Sequence, residues 1–243
     1  MNSREFFRFA QICLENTGNI FRYSPKLFHM AAHPEKFSEE EKYHYVVDLM
    51  ARGAMTSGVE VIAHGLENIP GEDGILVCPN HSARFDPLAI WITFPRLLGV
   101  VVDDEACHRP FIREVVTLIE SQRLFKDNMR SMLEVTEEIT QRLKEQANYM
   151  LFPEGRYSDA PDQVGEFMNG CFRSPLRAHR PVVPVAIVGS EPVFSGKACR
   201  PFRVHVHYLK AIMPEQMTGM RTRDLSALVH KNIQDALDLY IGE

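Results

Sequence analysis

The chain has 243 residues, 45% hydrophobic and 24% charged, a profile that argues against disorder and allows one good-sized core or a core plus a small extension. A formal net charge of -5 gives no footing to a nucleic-acid partner, because binding the phosphate backbone needs a clustered basic excess. Five cysteines (Cys13, Cys78, Cys107, Cys171, Cys199) are odd in number, scattered and free of any Cys-x-x-Cys, which indicates neither a disulfide framework nor a zinc-thiolate site and fits a reducing cytoplasm.

Residues 1 to 58 read as helical. Met1-Asn2-Ser3-Arg4-Glu5 opens no signal peptide, since Arg8, Glu15 and Asn16 break the apolar stretch that follows. No run approaches the roughly 18 apolar residues of a membrane span, so the chain reads as soluble or peripheral. Phe6, Phe7, Phe9, Ile12, Ile20, Phe21 and Tyr23 make an aromatic-rich segment with Arg4, Arg8, Arg22 and Lys26 against Glu5 and Glu15. Pro25 and Pro34 are expected to interrupt it. Ser38-Glu39-Glu40-Glu41 then supplies an N-cap and acidic first turn for a second helix ending near Gly53 or Gly58. This two-helix extension reads equally as an interfacial element on a membrane surface or as a layer packed on the domain.

From Val59 to residue 243 short strands alternate with helices. Val59 to Ala63 is a strand, and turn-formers between Gly65 and Gly74 lead into a second, Gly74 to Cys78. Asp86-Pro87 opens a helix, Gly99 to Val102 is a strand, Pro110 to Glu120 a helix, and Ser131 to Gln146 an amphipathic helix before the strand Asn148 to Phe152. Pro181 to Val188 and Phe202 to Leu209 are further strands, closed by a helix from Arg223 to Tyr240. The expected class is α/β, a mostly parallel mixed sheet flanked by helices.

Two motifs lie just past the carboxyl ends of buried strands, where open α/β sheets place their ligands. In Asn80-His81-Ser82-Ala83-Arg84-Phe85-Asp86, the His and Asp are five apart, about 140° around a continuous helix, so they share a site only across a turn. A carboxylate at 86 can hold one imidazole nitrogen and leave the other free to take a proton. Asp86 is also explained by helix capping alone, and His81 as a satisfied polar residue. The second motif, Phe152-Pro153-Glu154-Gly155-Arg156, offers a glycine for close backbone approach and an arginine suited to phosphate.

Together with Tyr157, Ser158 and Pro181-Val182-Val183-Pro184-Val185-Ala186, these motifs resemble the 1-acylglycerol-3-phosphate acyltransferase family across roughly Val59 to Ile212. The resemblance implies acyl transfer from a coenzyme A or acyl carrier protein thioester to a hydroxyl of a lysophosphatidic-acid-type acceptor in phospholipid biosynthesis. His81 would be the general base and Asp86 its orienter. Glu154, Gly155 and Arg156 would contact substrate, with Glu154 holding an arginine or an acceptor hydroxyl. Direct transfer is expected, without cofactor or metal, and Ser82 is a nucleophile candidate by position only. The family's Gly-x-Ile-Phe-Ile-x-Arg motif corresponds to Thr117-Leu118-Ile119-Glu120-Ser121-Gln122-Arg123, a departure that keeps Arg123 for phosphate, with Lys126 nearby, and leaves open another alcohol acceptor or a non-catalytic lipid-binding module. A lysophospholipid acceptor implies a peripheral place on the cytoplasmic membrane face.

Three other features read as surface. His205 and His207 share one strand face with no third ligand placed by spacing. Asp103-Asp104-Glu105 reads as a solvated acidic loop, and Arg173, Arg177 and Arg180 as a basic rim or ordinary surface.

Overall fold

The computed structural model describes residues 3–108, 111–119, 121–124, 129–158, 160, 163–195 and 201–240. The helices are α1 (Ser3–Glu15), α2 (Thr17–Ala32), α3 (Glu39–Thr56), α4 (Asp86–Thr93), α5 (Asp104–Cys107), α6 (Ile112–Leu118), α7 (Met129–Lys144), α8 (Arg173–Ala178), α9 (Glu191–Ser195) and α10 (Thr222–Tyr240). The strands are β1 (Val59–His64), β2 (Leu76–Pro79), β3 (Gly99–Asp103), β4 (Ser121–Leu124), β5 (Tyr149–Met150), β6 (Val182–Val188) and β7 (Phe202–Tyr208).

They form one seven-stranded sheet in the order β1-β7-β6-β2-β5-β3-β4. Every pairing is parallel except β6 with β7, so β1 and β7 run opposite to the other five strands. The alternation of side chains across the pleat gives each sheet face its own core. Val77, Val183, Val185, Val204 and Val206 pack against Leu27, Met30, Tyr43, Val46 and Ile90 on one side. Leu76, Cys78, Val182 and Ala186 meet Ile139, Leu143, Val229 and Ile233 on the other.

Several elements differ from their sequence-based outlines for local reasons. Segment 1–33 divides at Asn16, whose Nδ2 donates to Ile12 O and Ser57 Oγ, while Pro25 sits inside α2 without ending it. Among the described residues the helical region therefore holds three α-helices, and α3 starts with the expected capping box between Ser38 and Glu41. β5 is only two residues long, the acidic stretch at 103–105 ends β3 and begins α5, and β4 was not anticipated.

Arg8 also departs from expectation. It points inward, where Nε donates to Val193 O at 3.0 Å, Nη2 donates to Ser57 O at 3.3 Å, and the guanidinium lies over the Phe202 ring. The same helix turns Phe6, Phe7, Phe9 and Leu14 outward. No helix among the described residues is long and apolar enough to cross a membrane.

Candidate active site

The loop after β2 is pinned before it carries any chemistry. Asn80, buried at the strand end, accepts Ile187 N–H through Oδ1 at 2.7 Å and donates to Ile187 O through Nδ2 at 3.1 Å, copying a strand pairing onto β6. His81 follows directly, so its position is set by the sheet.

Asp86 does not cap α4 forward. The N-cap is Phe85, without a side-chain cap bond, and Pro87 fills the first turn. The Asp86 carboxylate turns back instead: Oδ2 accepts Ser82 N–H at 2.7 Å and Ala83 N–H at 2.8 Å, and lies 3.0 Å from His81 Nδ1. Three groups converging on one fully buried oxygen fold residues 81–86 into the turn that the five-residue spacing requires. An imidazole oriented this way donates from Nδ1 and presents Nε2 as the free acceptor.

The second motif closes over the first. Phe152 and Tyr157 approach the His81 ring with centroids 4.0 Å and 4.4 Å away, and Ser158 N–H donates to His81 O at 2.7 Å. Gly155 takes φ of 65°, a left-handed conformation, and a Cβ there would come within 2.5 Å of Met168 Cε.

Glu154 has partners other than those expected of it. Oε1 accepts the backbone N–H of His81 at 2.8 Å, and Oε2 that of Gly165 at 3.0 Å. Burial pushes this carboxyl up, and the two N–H donors partly oppose the rise. Residues Tyr157, Asn80 and Gly165 were not singled out as site residues, because their contributions are a ring face, a backbone mimic and one N–H.

Arg156 is exposed on the same loop. Arg123 is exposed on β4, three strands from β2 or about 14 Å by strand spacing, at the same end of the sheet because β4, β3, β5 and β2 are parallel. The structure thus gathers His81, Asp86, Glu154 and Gly155 closely and leaves the two arginines at the rim. Lys126 lies outside the described residues. Of the other cations, Arg177 pairs with Glu137 at 2.7 Å and Arg180 donates to Lys144 O, which ties both to α7. An almost wholly apolar cavity of about 300 Å³ opens beside the His81 turn, between Phe85, Leu88, Ile12, Ile20, Met50 and Phe194.

Comparison with known proteins agrees with the fold and with the family resemblance. The acyltransferase family model matches residues 60–188, about half of the chain. The chain is 28% identical over 161 residues to the probable 1-acyl-sn-glycerol-3-phosphate acyltransferase of Mycoplasma pneumoniae, covering 65% of this chain and 60% of that protein. It is 22% identical over 189 residues to the 1-acyl-sn-glycerol-3-phosphate acyltransferase of Borreliella burgdorferi, covering 75% and 73%. The crystal structure of PlsC from Thermotoga maritima, a 1-acyl-sn-glycerophosphate (LPA) acyltransferase, superimposes with a TM-score of 0.75 over 97% of this chain and 98% of that one at 18% identity, a likeness of fold. The matched span includes the turn that holds His81 against Asp86, and the match shows that the chain is a member of the acyltransferase family; the relatives it resembles are 1-acylglycerol-3-phosphate acyltransferases.

Proposed function

We propose that the chain transfers a fatty acyl group from a coenzyme A or acyl carrier protein thioester to the free hydroxyl of a lysophosphatidic-acid-type acceptor. The observation that carries this reading is the 3.0 Å contact between His81 Nδ1 and the buried Asp86 Oδ2. His81 Nε2 takes the hydroxyl proton as the acceptor oxygen attacks the thioester carbonyl carbon. The tetrahedral intermediate then expels the thiol sulfur, which receives that proton from the imidazolium. The thioester is already activated, so no resident cofactor is needed.

Ground-state binding follows from the surroundings. The apolar cavity beside Phe85 suits an acyl chain, and Arg156 and Arg123 at the rim suit an acceptor phosphate. Glu154 acts by holding the His81 backbone. Residues 59–243 carry this chemistry, and the exposed aromatics of residues 1–58 bring the site to the cytoplasmic membrane face.

The reading is tested with a panel of alcohols, glycerol phosphate, lysophosphatidic acid and other lysolipids, each offered with acyl-coenzyme A and with acyl carrier protein thioester. Transfer to lysophosphatidic acid above all others, lost in His81→Ala, is expected. Preference for a soluble alcohol would favour the second acceptor class that the altered stretch 117–123 suggests, and transfer to none would leave a lipid-binding module.

A further inference from the structure

The sheet brings together a third histidine that the strand spacing alone did not supply. In the parallel register of β1 with β7, His64 lies opposite His207 and Ile62 opposite His205, so all three imidazoles share one face of this pair of strands. The alternate residues Val204 and Val206 face the core on the other side. On the histidine face the sheet is open, bounding a cavity of about 910 Å³ that reaches from Ser82, past Glu60 and Arg203, to Tyr240 at the end of α10.

The donor atoms are already close. His64 Nε2 and His205 Nδ1 are 3.0 Å apart, and one ring nitrogen from each of the three histidines lies within 4.8 Å of the others. The His64 and His207 rings stack at 4.4 Å between centroids, and His207 stacks on Tyr240 at 3.7 Å. Nitrogens bound to one tetrahedral zinc ion stand about 3.3 Å apart, given bonds of about 2.0–2.1 Å. Closing the remaining gap of about 1.5 Å needs ring rotation on the open side, where His64 is exposed.

We propose that His64, His205 and His207 bind one divalent first-row transition-metal ion, of the class of zinc, cobalt or nickel, which clamps the edge strand β1 to β7. Three imidazoles without a carboxylate or thiolate select this class over magnesium or calcium. The fourth position faces the cavity and is left to water. Among the described residues β1 is the outermost strand and pairs with β7 alone, which is where a cross-strand clamp adds most.

The experiment uses the full-length chain, freed of metal with a chelator and titrated with zinc by calorimetry and with cobalt by visible absorption. His29 and His33, whose rings lie 5.2 Å apart, are the rival imidazole pair, so His29→Gln is the control. One equivalent bound with Kd on the order of 1 µM or tighter is expected. His64→Gln, at an exposed strand end, should weaken binding by about tenfold or more, and the triple His64→Gln, His205→Gln, His207→Gln variant should abolish it. Zinc at a hundredfold excess over Kd should raise the Tm of wild type and His29→Gln by about 5 °C or more, and not that of the triple variant. Circular dichroism of the single variant guards against loss of fold. Failure of the wild type to bind at about 1 mM, binding unchanged in His64→Gln, or an equal loss in His29→Gln would overturn the assignment.

Discussion

Glu154 Oε1 accepts the backbone N–H of His81 at 2.8 Å across 73 residues of chain, so the second motif acts on the first through the main chain. With Oε2 on Gly165 N–H, the carboxylate ties three loop segments together: 80–86, 152–158 and the stretch around Gly165.

Glu154→Gln keeps the shape and loses one acceptor, leaving a backbone N–H without its partner at a penalty of about 1–3 kcal/mol. At neutral pH we expect lower kcat with little change in either KM, because the residue positions His81. The pH dependence separates charge from shape. The folded carboxyl binds its proton more tightly than the unfolded one, whose ordinary value is 4.5, so this group favours the folded state at low pH. That contribution is lost as pH rises through the raised folded value. The stability of wild type relative to Glu154→Gln should therefore increase as pH falls from 7 toward about 4.5, as read from urea midpoints.

Gly165→Ala tests the same tie from the other side. A Cβ at 165 would come to 2.5 Å from Glu154 Oε2, so that oxygen must shift from its place on Gly165 N–H, which disturbs the hold of Oε1 on His81 N–H. Activity should fall in parallel with Glu154→Gln, and the double variant should show little further loss, since both act through one contact. Additive losses would separate the two residues.

His81→Ala should reduce transfer by about 100 to 10,000-fold, since the reaction needs its free nitrogen, while circular dichroism shows the fold retained, because Asp86 Oδ2 keeps the Ser82 and Ala83 N–H groups. Asp86→Asn keeps a hydrogen-bonding oxygen but removes the charge that stabilises the imidazolium. Helix capping would tolerate asparagine, yet Asp86 makes no forward cap, so we expect a kcat loss of about 100-fold or more. Wild-type rates in Asp86→Asn would refute the orienting role.

The arginines at the rim make a kinetic distinction. Arg123→Ala and Arg156→Ala should each raise the acceptor KM more than the donor KM, through loss of charge-assisted hydrogen bonds to phosphate. Equal changes in both constants would detach them from the acceptor.

Much of this site is readable from sequence because its central contact is local. His81 and Asp86 are five residues apart, and the turn between them is closed by Asp86 itself. The role of Glu154 was not legible, because its partners are backbone N–H groups that no residue type announces. β4 escaped for a different reason: Ser121-Gln122-Arg123-Leu124 carries no alternation, and its pairing with β3 alone makes it a strand. His64 and His207 are likewise joined only by the register of two strands distant in sequence. Pro25 misled because a proline at the exposed side of α2 can be accommodated, whereas Asn16 turns its amide to Ser57 and marks the true division.

The N-terminal helices give the membrane prediction its shape. Arg8 is buried and satisfied, while Phe7, Leu14 and Phe21 are 71%, 76% and 78% exposed, an arrangement that leaves apolar surface outward and unused. Headgroup attraction cannot come from Arg8, so the contact rests on the aromatics, with Arg22 exposed on α2. Wild-type protein should co-sediment with anionic liposomes. Replacing Phe6, Phe7 and Phe9 with serine should lower the partition coefficient by about tenfold or more, given roughly 1.5–3 kcal/mol per fully buried aromatic and the partial burial each would gain. The same exposure means that the substitutions remove few internal contacts, so Tm should move little. Unchanged sedimentation in the triple variant would place the membrane contact elsewhere, and no sedimentation of the wild type would leave α1 as a packed layer and move the acceptor toward a soluble alcohol.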